Sequence, residues 1–113
     1  MSKPITLTAE NFEQEVRRSE TPVLVDYWAP WCGPCRMLGP VIEKIAAERD
    51  GALKVGKVNV DDEPDLADHA GVQSIPYVVL YRDGQPVAQV VGAMPKAALE
   101  RALGLLAPEP VAA

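Results

Sequence analysis

Trp28-Ala29-Pro30-Trp31-Cys32-Gly33-Pro34-Cys35 holds both cysteines of this 113-residue chain, three positions apart. Upstream, Val23-Leu24-Val25-Asp26-Tyr27-Trp28 is a β-rich run that is apolar on both parities, as a strand covered on both faces must be. Downstream, Met37, Leu38, Val41, Ile42, Ile45 and Ala46 recur at helical spacing. The thiols therefore stand where a strand hands over to a helix, and open α/β sheets usually place their chemistry at the carboxyl ends of strands. Two thiols at this spacing close a disulfide within one turn, and a helix N-terminus stabilises a thiolate. The stretch reads as a redox site.

The two cysteines are not equivalent. A free thiol has a pKa of about 8.5, so little of it is thiolate at neutral pH. Cys32 at the N-cap faces unpaired N–H groups that lower that value. Gly33 allows the tight turn into the helix, and Pro34 suits a first-turn position, where its missing N–H has no partner to lose. Cys35 lies one turn in and is expected to be more buried, so Cys32 attacks and Cys35 resolves. Three other uses stay open: half of a zinc site, a structural disulfide, or two inert buried thiols. Against them, zinc needs two more ligands and the chain offers only His69 and no third cysteine. The ring is also too short to stabilise much, and Gly-Pro is poor helix filler.

Composition narrows the setting. The length suits one domain, residues 1–106, followed by a frayed tail, 107–113, that carries two prolines. A hydrophobic content of 48% supports a core without disulfide staples. The net charge of −5 argues against a nucleic-acid surface, and no apolar run is long enough to span a membrane. Met1–Thr6 lacks the apolar segment of a secretory signal, so a cytoplasmic location is expected. His69 reads as a surface residue without a role.

Thr8 is a plausible N-cap for a first helix, with Glu10 in its opening turn and Phe12 and Val16 on one face. Pro40 lies inside the helix that follows the cysteines and is expected to kink it before Asp50-Gly51 ends it. Leu53–Val60 reads as a strand, and Asp61-Asp62-Glu63-Pro64 as the cap and first turn of a short helix ending at Gly71. Tyr77–Tyr81 and Pro86–Val91 are strands joined by Arg82-Asp83-Gly84-Gln85, where Asp-Gly signals a hairpin. Pro95 opens a last helix with Leu99, Ala102, Leu103 and Leu106 on one face. The order is β-α-β-α-β-α-β-β-α, a parallel half followed by an antiparallel half.

With these elements in register, the chain resembles the thioredoxin family over roughly residues 4–106. The resemblance rests on Trp28 to Cys35, Asp26, Pro40, Lys57, Ile75-Pro76, Gly84 and Gly92. Gly-Pro between the cysteines separates it from disulfide isomerases, glutaredoxins and periplasmic oxidants, which typically carry Gly-His, Pro-Tyr and Pro-His. The resemblance implies a central five-stranded mixed β-sheet flanked by four α-helices, with a cis Ile75-Pro76 bond facing the cysteines. It implies a protein-disulfide reductase that contributes to cell redox homeostasis. Its partners are disulfide-containing proteins and a thioredoxin reductase that recycles it with electrons from NADPH or ferredoxin. The chain itself is expected to be a monomer that holds no cofactor and no metal.

Asp26 also has an independent case. It interrupts an apolar run, and burial there raises a carboxyl pKa. Lys57 shares strand parity with Leu53 and Val55, so position alone leaves open a plain ion pair with Asp26. The resemblance implies instead that Asp26 accepts the proton of Cys35, directly or through water, and that Lys57 tunes it. It further implies that the Ile75 backbone pairs with an extended substrate segment. Trp31, Val60, Ile75, Pro76, Val91, Gly92 and Ala93, with Gly33 and Pro34, form the docking surface, while Trp28 packs beneath the loop. Two departures from the family pattern are Tyr77, where threonine is usual, and Met94-Pro95 at the last helix cap. Tyr77 either re-tunes partner choice or points into the core. The other readings are an oxidant or isomerase, and a non-catalytic partner subunit that binds through the collar.

Overall fold

The computed structural model describes residues 3–105. The chain runs through β1 (Ile5–Thr6), a π-helical segment (Glu13–Arg17), β2 (Val23–Trp28), α1 (Gly33–Glu48) and β3 (Lys54–Asn59). It continues through α2 (Pro64–His69), β4 (Tyr77–Arg82), β5 (Gln85–Val91) and α3 (Lys96–Ala102). The strands form one five-stranded sheet in the order β1-β3-β2-β4-β5. β1 and β2 run parallel to β3, whereas β4 runs antiparallel to both β2 and β5. This is the mixed sheet flanked by helices that the resemblance implied.

β2 sits at the centre because its residues are apolar on both parities, and Val23 through Tyr27 are buried. Leu24 packs with Leu38, Ile42, Ile45, Leu80 and Leu99 on the side of α1 and α3. Val25 and Tyr27 pack with Phe12, Val16, Val58 and Val79 on the other side. Each fully buried aliphatic side chain stabilises the fold by roughly 1.5–3 kcal/mol relative to exposure. The two cores fix β2 from above and below, and so fix the loop that leaves its carboxyl end.

Several elements depart from the sequence reading. Thr8 Oγ1 accepts from the Glu10 N–H at 3.2 Å, but it caps only a turn: the helical segment has Phe12 as its N-cap and is wound as a π-helix from Glu13 to Arg17. Lys54 Nζ donates to the Glu15 carbonyl at 3.0 Å, and a side chain entering the carbonyl ladder loosens a helix in this way. Among the described residues four helices flank the sheet, as the resemblance implied, three of them α-helical and the first wound as a π-helix. α2 ends at His69 rather than Gly71, and Glu63 is its N-cap without a side-chain cap bond. The Glu63 carboxylate accepts instead from the Ala9 N–H at 3.0 Å.

Met37 is 73% exposed and lies outside the apolar face that its spacing suggested. In α3 the buried positions are Leu99 and Glu100, with Leu103 at the C-cap, whereas Ala102 is exposed. Glu100 is tolerated there because Arg49 at 3.1 Å and Lys96 at 3.2 Å pair with it, which clips α3 to the end of α1. α1 continues through Pro40 without interruption. Leu106 and the tail expected at 107–113 lie outside the described residues. No described helix is long and apolar enough to cross a membrane.

The hairpin obeys its local signal. Arg82 pairs with Gln85, and Asp83 and Gly84 between them both take positive φ, 54° and 79°. That is the two-residue turn for which Asp-Gly is selected. Register then shifts between Leu80↔Ala88 and Tyr81↔Pro86, leaving Val87 as an extra residue, 53% exposed. A Cβ on Gly84 would also meet the backbone oxygen of Arg17. Gly84→Ala is expected to destabilise the fold by about 2 kcal/mol, read as a lower denaturant midpoint at unchanged slope.

Candidate active site

The junction between β2 and α1 is shaped by backbone bonds from its own loop. The Cys32 N–H donates to the Ala29 carbonyl at 3.1 Å, and the Arg36 N–H donates to the Cys32 carbonyl at 3.2 Å. The Arg36 guanidinium reaches back to the Pro30 carbonyl at 2.9 Å, tying the loop to the helix. Cys32 is the N-cap of α1, in extended backbone, and its sulfur accepts from the Cys35 N–H at 3.2 Å. No acidic side chain occupies the first turn, so the helix end is left to the sulfur.

Cys32 and Cys35 are joined by a disulfide, with Cα atoms 5.2 Å apart. The expected contrast in burial is slight, 5% exposure for Cys32 against 3% for Cys35. The asymmetry comes from their surroundings. Cys32 Sγ lies 3.8 Å from the carbonyl oxygen of Ile75, which precedes Pro76 across a cis bond. Trp31 beside it is 67% exposed. Cys35 lies within the helix, packed with Ala29.

Asp26 is fully buried, and neither of its carboxylate oxygens accepts a hydrogen bond from the described residues. Burial raises its pKa to about 6, and the charge of Lys57 offsets only part of that rise. Asp26 and Lys57 are register partners across β2 and β3 and therefore share the sheet face toward α1. They form no salt bridge. The Lys57 ammonium lies over the Trp28 ring, 4.6 Å from its centroid, so its influence on Asp26 acts through space.

The surface around the disulfide divides at Pro76. On one side Trp31, Val60 and Ile75 line a groove of about 550 Å³ with Pro64, Ala67 and Val72. On the other, the Gly92 N–H donates to the Pro76 carbonyl at 2.8 Å, with Val91 55% exposed and Ala93 exposed beside it. Pro76 itself is buried, whereas Pro34 is exposed and Gly33 half-buried. Tyr77 does not face the disulfide. Its ring packs against Tyr27 on the opposite sheet face, 6.0 Å between centroids, and strand alternation after Pro76 is the reason.

Two neighbours of the site were missed by the sequence reading. Asp61, read there as part of a helix cap, accepts from the Trp31 indole N–H at 2.9 and 3.2 Å. Arg36 holds the loop as described above. The only sequence signal for Asp61 is its place just past the end of β3, level with the end of β2. His69 is exposed, and no described group of three or more His, Cys, Asp or Glu side chains gathers where a metal could sit.

What such a junction does chemically is trade one disulfide for another, which places the chain among the thiol–disulfide oxidoreductases. Comparison with known proteins narrows that class. The thioredoxin family model matches residues 3–104. The chain is 50% identical over 103 residues to thioredoxin 1 of Nostoc sp., covering 91% of this chain and 96% of that protein. It is 50% identical over 107 residues to a thioredoxin of Mycobacterium tuberculosis, covering 95% and 92%, and 48% identical over 97 residues to a thioredoxin of Porphyra purpurea, covering 86% and 91%. The chain belongs to the thioredoxin family. It carries out dithiol–disulfide exchange through Cys32 and Cys35.

Proposed function

We propose that the exchange runs toward reduction and that the chain is a general protein-disulfide reductase. The observation that carries this reading is the Cys32 sulfur at the α1 N-terminus, accepting from the Cys35 N–H and lying 3.8 Å from the Ile75 carbonyl oxygen, next to the exposed Trp31. In the reduced protein that environment favours the Cys32 thiolate. The thiolate attacks one sulfur of a substrate disulfide, and the other substrate sulfur leaves as a thiolate that takes up a proton. Cys35 then gives its proton to Asp26 and attacks Cys32 Sγ, expelling the remaining substrate thiolate. Two electrons have passed to the substrate, and the Cys32–Cys35 disulfide remains.

Asp26 suits proton acceptance because its buried carboxylate accepts no hydrogen bond from the described residues. Lys57 keeps that carboxyl from rising further. The docking surface is the groove beside Trp31, Val60 and Ile75, with Gly33 and Pro34 at the helix start and Val91, Gly92 and Ala93 across Pro76. The Ile75 backbone, beside the reacting sulfur and outside the strand pairs of the sheet, supports short strand pairing with an extended substrate. Thioredoxin reductase, drawing on NADPH or ferredoxin, returns the protein to the dithiol. It acts as a monomer in the cytoplasm.

The deciding experiment is reduction of a protein disulfide by this chain with NADPH and a thioredoxin reductase. Catalytic turnover supports the reading; failure where another thioredoxin turns over in the same assay ends it. Cys35→Ser is expected to accumulate mixed disulfides through Cys32 that dithiothreitol releases, seen on non-reducing gels. Asp61→Ala frees the Trp31 indole and is expected to lower kcat/KM about fivefold, mainly through KM, as loss of one positioning hydrogen bond implies.

A further inference from the structure

The groove beside Trp31 and Ile75 is bordered by the stretch of chain that holds the net charge of the molecule. Of the chain's 16 acidic residues, Asp61, Asp62, Glu63, Asp65 and Asp68 fall between Lys57 and Arg82, a stretch with no lysine or arginine. The remaining acidic residues equal the 11 lysines and arginines in number, so the net charge of −5 is the charge of this stretch. Among the described residues none of the five acids forms a salt bridge. Asp61 is held against Trp31 by the indole N–H, and Asp68, exposed on α2, lines the groove itself. The opposite flank of the disulfide, Val91, Gly92 and Ala93, is uncharged.

Among the described residues Asp68 is the only charged one in the groove lining. The walls are otherwise mostly apolar, from Trp31, Val60, Ala67, Val72 and Ile75, and the volume of about 550 Å³ admits a long side chain. An apolar trough with one unpaired carboxylate matches a side chain that carries a cation on an apolar stem, as lysine and arginine do. A purely apolar occupant would cover the carboxylate without replacing its water. An acidic occupant would be repelled by Asp68 and by Asp61.

Strand geometry then says which substrate residue reaches it. Pairing with the Ile75 backbone holds the substrate segment extended, and in an extended chain residues two apart face the same way, about 7 Å from one another. A cysteine turned toward Cys32 is therefore accompanied, two positions on, by a side chain turned toward the same surface. We propose, resting on the docking surface given above, that this groove is a subsite for arginine or lysine. It selects substrate proteins with a basic residue two positions from the attacked cysteine, on the side of the groove. The stem of that residue lies along Val60 and Val72, and its cation meets Asp68.

The test is a single turnover. The full chain, reduced and freed of reductant, meets extended peptides whose one cysteine is joined in a mixed disulfide to 2-nitro-5-thiobenzoate. Cys32 attacks the peptide sulfur and expels the coloured thiolate, which reads the rate. Arginine two positions from the cysteine is compared with citrulline, its neutral isostere, on either side. Each rate is divided by that of the same peptide with dithiothreitol, which removes the effect of the charge on the peptide's own sulfur. On one side the arginine peptide should react about fivefold faster at low salt, as one exposed charge pair implies. Near 1 M salt, where screening is complete within about 3 Å, the advantage should fall below about twofold. Asp68→Asn should bring the ratio to about one, and Asp68→Glu should retain it; a ratio taken within one variant is not imitated by a general loss of rate. Equal rates for arginine and citrulline overturn the proposal, as does an equal advantage on both sides of the cysteine or a ratio that survives Asp68→Asn. No reductase or NADPH enters this assay, so failure of the reductase reading shows in the coupled assay and leaves the ratio readable.

Discussion

Cys32→Ser is expected to reduce disulfide-reductase turnover at least about a thousandfold, to the background of the assay. The reason is chemical. A serine hydroxyl is not ionised at neutral pH and cannot form the mixed disulfide through which exchange must pass. The fold should survive, because the cores above and below β2 do not depend on the sulfur pair. A thermal melt against the reduced wild type checks that, and the coupled assay reads the rate. The same variant separates two classes of function. A subunit that works only by binding through Trp31, Val60 and Ile75 would keep its effect with serine in place, and that outcome would remove the reductase reading.

Asp26→Ala is expected to stabilise the protein by about 3 kcal/mol at pH 8 and by much less at pH 3. In the unfolded chain the Asp26 carboxyl titrates near its ordinary value, about 3.9, whereas in the fold burial raises it to about 6. Below the lower value the group is protonated in both states and folding carries no charge penalty. As pH rises toward 6 the unfolded chain ionises first, and stability falls. Above 6 the loss levels off at about 3 kcal/mol, the shift multiplied by 1.36 kcal/mol per unit. Denaturant titrations of wild type and variant at the two pH values read the difference. Equal gains at both would show that burial of the charge is not the cause. In the proposed mechanism the variant also resolves mixed disulfides more slowly. Wild-type resolution should rise with pH through about 6, and the variant should lack that limb.

Legibility followed the range of the interactions. Asp83-Gly84 could be read as a tight turn because positive φ at two adjacent residues is a local demand. The buried state of Asp26 was readable for a related reason: every neighbour along β2 is apolar, so no face is left for a charge. Met37 and Ala102 were misplaced because helical spacing marks a face of about the right width but not what covers its edge. Glu100 was invisible as a buried residue, since its partners Arg49 and Lys96 come from two different helices or their ends. The Lys54 ammonium that meets the Glu15 carbonyl inside the π-helical segment comes from far away in sequence.

By itself the sequence determined the redox pair and its place between a strand and a helix. Those are consequences of neighbouring residues and of backbone geometry within one turn. Tertiary structure decided what those residues meet. It put the Lys57 ammonium over Trp28 rather than in an ion pair with Asp26, and it hung Trp31 on Asp61. It also turned Tyr77 away from the disulfide, against the ring of Tyr27. Strand alternation states that successive side chains face opposite ways, but only the packed helices give each face its neighbours.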